Sequence, residues 1–255
     1  MKALITGASS GIGRDMARNL ASRGYDLVLV ARNENGLKTV KEDILKIRDD
    51  VNIEILSIDL SNKENCYKLH EQVKNIDILI NNAGFGLFGK FTDTSLDKEI
   101  SMIETNVMAY HILMKLYLQD MVKRNEGHIL NVASIDGFMP GPLMATYYAT
   151  KNYVLSLTRA VHKELKKAHS NVKLSVLCPG PVNTNFNNVA DVKFNIPGLS
   201  SQKVADYAIN KMLKGKFVII PGGLVKIARV LTEITPDLIV EEISYHMQTI
   251  KEGKM

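Results

Sequence analysis

Short runs of hydrophobic residues alternate along the chain with longer stretches in which apolar side chains recur at helical spacing. The short runs are rich in branched apolar residues and predict seven strands, at 3–6, 26–31, 52–58, 76–80, 128–133, 172–178 and 217–220. The longer stretches predict helices at about 11–23, 35–49, 62–74, 97–123, 146–168 and 201–214. This alternation is typical of a parallel sheet covered by helices on both faces. We therefore expect an α/β fold built on a doubly wound, seven-stranded parallel sheet.

The sequence contains no internal repeat, linker or low-complexity segment, so its 255 residues are expected to form a single domain. Residues 221–255 follow the last predicted strand as a C-terminal helical extension of that domain, with apolar residues at helical spacing: Leu224, Ile227, Ala228 and Leu231. Thr235 as N-cap and Pro236 at the first helical position predict a second helix. Three roles stay open for the extension: packing on the core or a second subunit, covering a substrate, or lying on a membrane surface.

Composition narrows the class of protein. Hydrophobic residues make up 45% of the chain and charged residues 23%, and no apolar run is long enough to span a bilayer. The sequence enters its first strand at once, without a secretion signal, so we expect a cytoplasmic protein. Cys66 and Cys178 are isolated in the sequence, which favours reduced thiols and no metal site. The net charge of +5 arises from lysines scattered among glutamates, a pattern that argues against a nucleic-acid partner.

A glycine-rich turn joins the first predicted strand to the first helix. Glycines in such a turn let backbone N–H groups approach a pyrophosphate, and the positive end of the helix dipole favours its charge. A strand before the turn and a helix after it supply the context that this kind of site needs. We therefore expect a dinucleotide phosphate loop, which begins after Thr6 and includes Gly7, Ser9, Ser10, Gly11, Ile12 and Gly13.

The end of the second strand predicts which dinucleotide is bound. A carboxylate at this position would grip the ribose 2′-hydroxyl of NAD and repel the 2′-phosphate of NADP. Here the strand ends in Ala31 and Arg32, and the first carboxylate is Glu34. Because a guanidinium holds a phosphate by paired hydrogen bonds, the sequence favours NADPH over NADH, with assistance from Ser9, Ser10 and Arg14.

A tyrosine and a lysine at helical spacing indicate chemistry on a carbonyl group. Tyr147 precedes Lys151 by four residues, so the two side chains share one helix face. The lysine ammonium is expected to lower the pKa of the phenol, which would then exchange a proton with a carbonyl oxygen. Ser134 follows a strand and is expected to hold that oxygen. Tyr148 and Tyr153 lack the spacing to the lysine.

Five motifs together resemble the short-chain dehydrogenase/reductase family. They are the loop from Thr6 to Gly13, Asn81-Asn82-Ala83-Gly84, Ser134, Tyr147-x-x-x-Lys151, and Pro179-Gly180-Pro181-Val182-x-Thr184. The match runs from residue 3 to about 220, and thirteen residues separate the serine from the tyrosine, as is usual in the family. The resemblance implies a single Rossmann domain, an oxidoreductase activity and a nicotinamide dinucleotide.

The resemblance also implies roles that spacing alone did not indicate. Asn106 corresponds to a helix asparagine that organises a water relay, and Lys151 also binds the nicotinamide ribose. Asn81 is expected to be structural and to tie neighbouring strands. The remaining cofactor contacts implied are Asp59 and Leu60 at the adenine, Asn82, Ala83 and Gly84 at the ribose, and Pro179, Gly180, Val182 and Thr184 at the carboxamide and phosphates.

The leading interpretation is an NADPH-dependent oxidoreductase of ketones or aldehydes, or of the corresponding alcohols. The alternatives are a catalytically silent NADP-binding regulator and a sugar-nucleotide epimerase or dehydratase. The intact tyrosine and lysine argue against the first, and chain length and the Asn82-Ala83-Gly84 motif argue against the second.

The long tail resembles that of reductases of long-chain acyl and steroid-like carbonyls. We expect a homo-oligomer, a dimer through the two long helices or a tetramer. An apolar substrate pocket is predicted from Ile135, Phe138, Met139, Leu143, Met144, Phe186 and Phe194.

Overall fold

The structure is a computed structural model that describes residues 1–184 and 198–251. Its strands lie close to the predicted positions, although the seventh strand of the main sheet is shorter than expected. The strands in the described ranges are β1 (Lys2–Thr6), β2 (Asp26–Ala31), β3 (Ile53–Ser57), β4 (Ile78–Asn81), β5 (His128–Val132), β6 (Lys173–Leu177), β7 (Val182–Asn183), β8 (Leu199–Ser200) and β9 (Val218–Ile219).

The helices of the described ranges also follow the predicted order, with ends that differ by a few residues. Helix α2, for example, ends at Leu45 rather than at 49. The helices are α1 (Gly11–Ser22), α2 (Glu34–Leu45), α3 (Lys63–Gln72), α4 (Leu96–Ile103), α5 (Ala109–Arg124), α6 (Ala145–Lys167), α7 (Ser201–Leu213), α8 (Gly223–Ile234) and α9 (Asp237–Lys251).

Seven strands form one sheet in the order β3-β2-β1-β4-β5-β6-β9, and every neighbouring pair is parallel. The predicted doubly wound, seven-stranded fold is therefore confirmed. The central strands carry continuous buried runs because helices cover both faces. Strand order reverses between β1 and β4, and at such a switch point the connecting loops diverge and leave a crevice. Strands β7 and β8 pair in a separate small sheet.

Two layers of helices pack on the sheet. On one face, Met16 and Leu20 of α1 are buried with Ala208 of α7 in a common hydrophobic cluster. On the other face, Leu69 of α3 packs with Tyr117 of α5. Between adjacent strands, Asn81 Nδ2 donates a hydrogen bond to Asn131 Oδ1 at 3.0 Å, which is the strand-tying role expected for this residue.

The long helix predicted at 97–123 is interrupted by a π-helical turn, Glu104–Met108, between α4 and α5. The pattern of apolar residues does not reveal such a turn. A π-helical turn adds one residue to a turn of the helix, and it often occurs at functional sites. Asn106 lies within this turn and is fully buried.

The C-terminal extension forms α8 and α9, as the helical spacing predicted. The Thr235 hydroxyl donates to the Leu231 carbonyl at 2.7 Å at the end of α8. Its role as the N-cap of the following helix stays a prediction. Helix α9 starts after Pro236, whose carbonyl accepts from the Val240 amide. None of the helices in the described part of the chain is both long and apolar enough to cross a membrane.

Candidate active site

A cavity of about 740 Å³ opens at the carboxyl ends of the parallel strands, in the size range of small-molecule sites. Segments that follow β1, β4, β5 and β6 line it together with α6, α8 and α9. Among the residues expected at a cofactor, all but Gly13 line it: Gly7, Ser9, Ser10, Gly11, Ile12, Arg32, Asp59, Leu60, Asn82, Ala83, Gly84, Tyr147, Lys151, Pro179, Gly180, Val182 and Thr184. The structure therefore brings the sequence motifs to one place.

The glycine-rich turn has the backbone that the sequence predicts. Gly7 and Gly11 have φ angles of +65° and +55°, which are costly for residues with a Cβ. Gly13 lies behind the turn, where a Cβ would overlap the Gly7 carbonyl oxygen and approach Asn82 Nδ2 to 2.5 Å. Its part is to let α1 start close to the turn, so that the helix N-terminus faces the cavity and fits a pyrophosphate.

Thr6 and Asn82 hold the turn against β4. The Thr6 hydroxyl accepts hydrogen bonds from the backbone amides of Asn82 and Ala83, at 2.9 and 3.0 Å. The Asn82 side chain returns a bond from Nδ2 to the Thr6 carbonyl at 3.0 Å and another to the Gly7 carbonyl at 3.2 Å. Asn82 thus shapes the loop, and Thr6 is an organising residue that the sequence analysis did not single out.

The far end of the cavity suits an adenosine. Arg32 is exposed at its rim, and Glu34 is held away in an ion pair with Lys38 at 2.7 Å. Asp59 shapes its own turn, with Oδ1 accepting from the Ser61 amide at 3.0 Å. Arg14 was expected to assist with a phosphate; instead its Nε donates to Asp15 at 2.8 Å on α1, and Arg14 does not line the cavity.

Ser134, Tyr147 and Lys151 meet at the end of β5, and all three side chains are buried. The Ser134 hydroxyl lies near the Tyr147 phenol and donates to Asp136 Oδ2 at 2.9 Å. Lys151 Nζ lies 5.7 Å from the centre of the Tyr147 ring and donates to the Val132 carbonyl at 3.0 Å. The predicted helix spacing therefore places the cation beside the phenol.

The electrostatics of this cluster differ from the sequence-based expectation. Burial is the largest influence on Tyr147 and, with the nearby Asp136 charge, holds its pKa well above the ordinary value, although the nearby Ser134 hydroxyl acts in the opposite direction. The expected lowering by Lys151 is wrong for the chain by itself, because desolvation dominates. Burial also lowers the pKa of Lys151 to about 8, against the influence of Asp136. Tyr147 thus holds its proton firmly.

Asn106 is placed beside the cavity rather than in its lining. Its Nδ2 donates to the Phe85 carbonyl at 2.9 Å and to Thr150 Oγ1 at 3.1 Å, and its Oδ1 accepts from the Phe85 amide at 3.1 Å. Thr150 in turn donates to the Tyr147 carbonyl at 2.7 Å. The asparagine side chain therefore positions both the loop after Gly84 and the first turn of α6.

The segment after β6 closes the cavity over the glycine-rich turn. A Cβ built on Gly11 would lie 3.2 Å from Thr184 Cγ2, so the two segments face each other closely. The Pro179 carbonyl accepts from the Ile135 amide at 2.9 Å, which joins this segment to the one that carries Ser134. A Cβ on Gly180 would come within 2.8 Å of Val225 on α8, so only glycine lets α8 pack there.

The substrate end differs in part from the predicted pocket. Ile135 and Met139 line the cavity, whereas Leu143 and Met144 are buried outside it and Phe138 packs against Arg159 and Arg229. Phe186 and Phe194 lie outside the described residues. The lining is completed by apolar side chains of the C-terminal extension: Val225, Leu231, Val240 and Ile243.

The polar residues of this end that the sequence analysis did not assign to the site include Asp136, Tyr148, Ser244 and Gln248. Tyr148 was set aside because it lacks the spacing to the lysine, and no local pattern marks the others. Asp136 Oδ2 accepts from the Ser134 hydroxyl at 2.9 Å, and Gln248 Nε2 donates to the Tyr148 hydroxyl at 2.6 Å. They are brought together only by the packing of α9 on the loop after β5.

Comparison with known proteins agrees with this geometry. A family model described as short chain dehydrogenase matches residues 1–193. An uncharacterized oxidoreductase of Staphylococcus epidermidis is 33% identical over 211 residues, which cover 81% of this chain and 88% of that protein.

Solved structures from three bacteria are similar over most of both chains. A short-chain dehydrogenase from Sphingobium yanoikuyae in complex with NADPH is 28% identical, with a TM-score of 0.81, and the match covers 92% of this chain and 96% of that one. The coverages below are given in the same order. A short-chain dehydrogenase/reductase from Burkholderia phymatum in complex with NAD is 26% identical, with a TM-score of 0.82 and coverage of 90% and 92%. A bulky-bulky ketone specific alcohol dehydrogenase from Comamonas testosteroni is 27% identical, with a TM-score of 0.77 and coverage of 92% and 94%. The motifs, the fold and these matches agree, and the chain belongs to the short-chain dehydrogenase family of oxidoreductases.

Proposed function

We propose that the protein is an NADPH-dependent reductase of hydrophobic ketones or aldehydes, or a dehydrogenase of the matching alcohols, with Tyr147 as the acid or base. The observation that carries this proposal is the buried cluster of Ser134, Tyr147 and Lys151, with the lysine ammonium beside the phenol, at one end of a cavity that fits a dinucleotide. Membership of an oxidoreductase family supports the reaction class.

Each residue of the cluster has a task in reduction. The nicotinamide, when bound, supplies the hydride that the carbonyl carbon receives. Ser134 holds the carbonyl oxygen, and Tyr147 transfers its proton to that oxygen as negative charge develops there. The raised pKa of Tyr147 keeps this proton in place until an alkoxide forms. Lys151 stabilises the resulting phenolate, which regains a proton from water. In the oxidative direction the same groups act in reverse.

Arg32 supports NADPH as the preferred dinucleotide. It lines the cavity where β2 ends, and the nearest following carboxylate, Glu34, is paired with Lys38. A guanidinium at this place attracts a 2′-phosphate, and no carboxylate at the strand end repels one. Similar proteins bind either NADPH or NAD, so this preference rests on the residues of the present chain.

The apolar lining from α8 and α9 supports a hydrophobic substrate. Val225, Leu231, Val240 and Ile243 lie along the cavity, together with Met139. Leu231 and Ile243 each remain 53% exposed and so form an apolar approach to the site. The similar dehydrogenase from Comamonas testosteroni is described as specific for bulky ketones, which agrees with this substrate class.

A carbonyl screen tests the proposal. We expect hydrophobic ketones or aldehydes to oxidise NADPH, measured as the loss of reduced-nicotinamide absorbance. Small charged carbonyls such as oxaloacetate should cause little oxidation. Activity confined to small charged carbonyls would overturn the apolar pocket. Absence of turnover with every carbonyl, together with tight NADPH binding, would favour the silent regulator, which the intact Ser134, Tyr147 and Lys151 argue against.

A dimer is proposed through the surface formed by α4, α5 and α6. Ile100 and Ile103 of α4 and Tyr153 of α6 are exposed there, and His111 joins α5 to α6 through a 2.7 Å hydrogen bond to the Tyr153 hydroxyl. Light scattering after gel filtration tests this: a monomer in solution would contradict it, and a tetramer would favour the alternative. The cytoplasmic location stays a prediction from the sequence.

A further inference from the structure

A polar cluster lies at the substrate end of the cavity, formed by Asp136, Tyr148 and Gln248, and is called here the Gln248 cluster. Asp136 follows β5, Tyr148 belongs to α6 and Gln248 to α9, so the cluster joins three separate segments. All three residues line the cavity. The proposed mechanism uses none of them, although Asp136 accepts a hydrogen bond from the catalytic Ser134 at 2.9 Å.

Gln248 makes a short hydrogen bond within this cluster. Its Nε2 donates to the Tyr148 hydroxyl oxygen at 2.6 Å. Burial and the nearby Asp136 raise the pKa of Tyr148, so its hydroxyl keeps its proton and its oxygen accepts from the amide. Gln248 Oε1 is then the side-chain atom left without a partner among the described residues.

Gln248 Oε1 is a buried acceptor that needs a donor. The Gln248 side chain is only 1% exposed, and no described residue donates a hydrogen bond to this oxygen. Buried polar atoms in proteins are nearly always paired, because an unpaired one retains the cost of losing its water. Ser244, one helical turn earlier on α9, is not its partner, since its hydroxyl donates to the Pro140 carbonyl at 3.0 Å.

The charges at this end favour a neutral donor. Among the described residues, the charged side chains that line the cavity near Ser134 are Asp136 and Lys151, and their charges are opposite. Asp136 Oδ2 already accepts from the Ser134 hydroxyl. Since the local charge is balanced and Gln248 Oε1 is itself neutral, a hydroxyl fits this place better than an ammonium group.

We propose that the Gln248 cluster is a substrate subsite, in which Gln248 Oε1 accepts a hydrogen bond from a hydroxyl group of a hydroxylated ketone or aldehyde. The substrate would lie along the apolar side chains of α9, with its carbonyl at Ser134 and Tyr147 and its hydroxyl at Gln248. This inference deepens the proposed reductase function and rests on it for the placement of the carbonyl.

The test measures binding to the enzyme–NADP complex by calorimetry, so it does not require turnover. Two series of probes are used: benzylacetone with a ring hydroxyl at the ortho, meta or para position, and straight-chain octanones with one hydroxyl at each successive carbon. Each is compared with its parent ketone, its methyl ether and an analogue with an amino group in place of the hydroxyl. We expect at least one hydroxylated member to bind about tenfold more tightly than its parent and its methyl ether.

Variants of the cluster locate the effect. Gln248→Met keeps the length of the side chain and removes the acceptor, so the ratio of affinities for a hydroxylated probe and its parent ketone should fall to about one. Tyr148→Phe frees the Gln248 amide from its fixed orientation and should weaken the same preference. Glu242→Gln, an exposed change on the same helix, is the matched control and should keep it.

Three outcomes would overturn the subsite: no hydroxylated probe bound more tightly than its parent, including no binding at all; a preference that survives in Gln248→Met; or a stronger preference for the amino analogue. Failure of the reductase function is a separate result. An enzyme that reduces the parent ketones without preferring their hydroxylated forms contradicts only the subsite, whereas hydroxyl-dependent binding without any reduction contradicts only the reductase.

Discussion

The Asn106 side chain forms two hydrogen bonds with the backbone of Phe85. Its Oδ1 accepts from the Phe85 amide at 3.1 Å, and its Nδ2 donates to the Phe85 carbonyl at 2.9 Å. The pair joins the π-helical turn to the loop that follows β4. Gly84 makes this approach possible, since a Cβ there would lie 2.8 Å from Asn106 Oδ1. Through Thr150, the same side chain also supports the backbone of Tyr147.

We predict that Asn106→Ala lowers both stability and activity. Loss of two or more buried hydrogen bonds should reduce the free energy of unfolding by about 2 kcal/mol, measured by urea denaturation. Because Tyr147 loses its indirect support, kcat should fall about tenfold while the Kd for NADPH changes less. Asn19→Ala is the control, because it removes the hydrogen bond from the Asn19 side-chain amide to Asp206 that joins α1 to α7. Equal loss of kcat in both variants would contradict a positioning role.

Tyr147→Phe should remove the proton donor while the fold stays intact. We expect kcat to fall at least about a hundredfold, the usual contribution of a positioned acid, with NADPH affinity within about twofold of the original. Tyr153→Phe is the matched control, because it removes the hydroxyl of an exposed tyrosine on the same helix. Steady-state kinetics and fluorescence of bound NADPH measure the two quantities. Substantial residual activity in Tyr147→Phe would refute the proposed mechanism.

Arg32→Asp should reverse the nucleotide preference. Replacing a guanidinium by a carboxylate removes the 2′-phosphate partner and adds a group that binds a ribose 2′-hydroxyl. We expect the affinity for NADPH to fall about tenfold to a hundredfold, with that for NADH unchanged or improved. Lys203→Asp makes the same change of charge at an exposed position on α7, away from the cavity. Similar losses in both variants would show a general charge effect and contradict the assignment.

The parts of the site that the sequence predicts are those that depend on local spacing. The turn from Gly7 to Gly13 needs only a strand, glycines and a helix in succession, and Tyr147 and Lys151 need only one helical turn between them. Strand positions follow from continuous apolar runs. These features form in the same way in any chain with the pattern, so sequence alone indicates them.

The parts that the sequence does not predict depend on distant contacts. Tyr148 and Gln248 are 100 residues apart, and nothing near either one marks the pair. The pKa of Tyr147 was expected to fall beside Lys151, but its burial, which only the folded chain determines, raises it. Likewise Asp15, the partner of Arg14, is bound by a residue far away in the sequence, because the Ser201 hydroxyl donates to Asp15 Oδ2 at 2.5 Å.

Gly13→Ala should disturb the phosphate loop from behind. A methyl group there overlaps the Gly7 carbonyl oxygen, so either the turn or α1 must shift. We expect a loss of about 1–3 kcal/mol in stability and a weaker binding of NADPH. Gly223→Ala provides the control, because nothing lies within 4 Å of its added Cβ. Alanine at that position, in the first turn of α8, should leave stability unchanged or slightly raised.

The buried His128 predicts how stability depends on pH. Burial lowers its pKa from 6.5 to about 4, so it is neutral in the folded protein. The Ser175 hydroxyl donates to the Lys216 carbonyl at 2.8 Å, and its oxygen therefore accepts from His128 Nε2 at 2.8 Å, which fixes the neutral tautomer. Below about pH 6.5 the unfolded chain binds a proton that the folded one excludes. Stability contributed by this histidine is thus complete at neutral pH and is lost as the pH falls toward 4.

His128→Gln tests this, since the glutamine amide can donate to Ser175 but does not titrate. Between pH 7 and pH 5 the wild type should lose about 2 kcal/mol more of its unfolding free energy than the variant, measured by urea denaturation at each pH. Titrations common to both proteins cancel in the difference. His246→Gln replaces an exposed histidine on α9, away from the proposed dimer surface, and is the control for the loss of an imidazole. If the stability of His128→Gln falls in parallel with that of the wild type, the buried imidazole is not the group that makes the fold sensitive to acid.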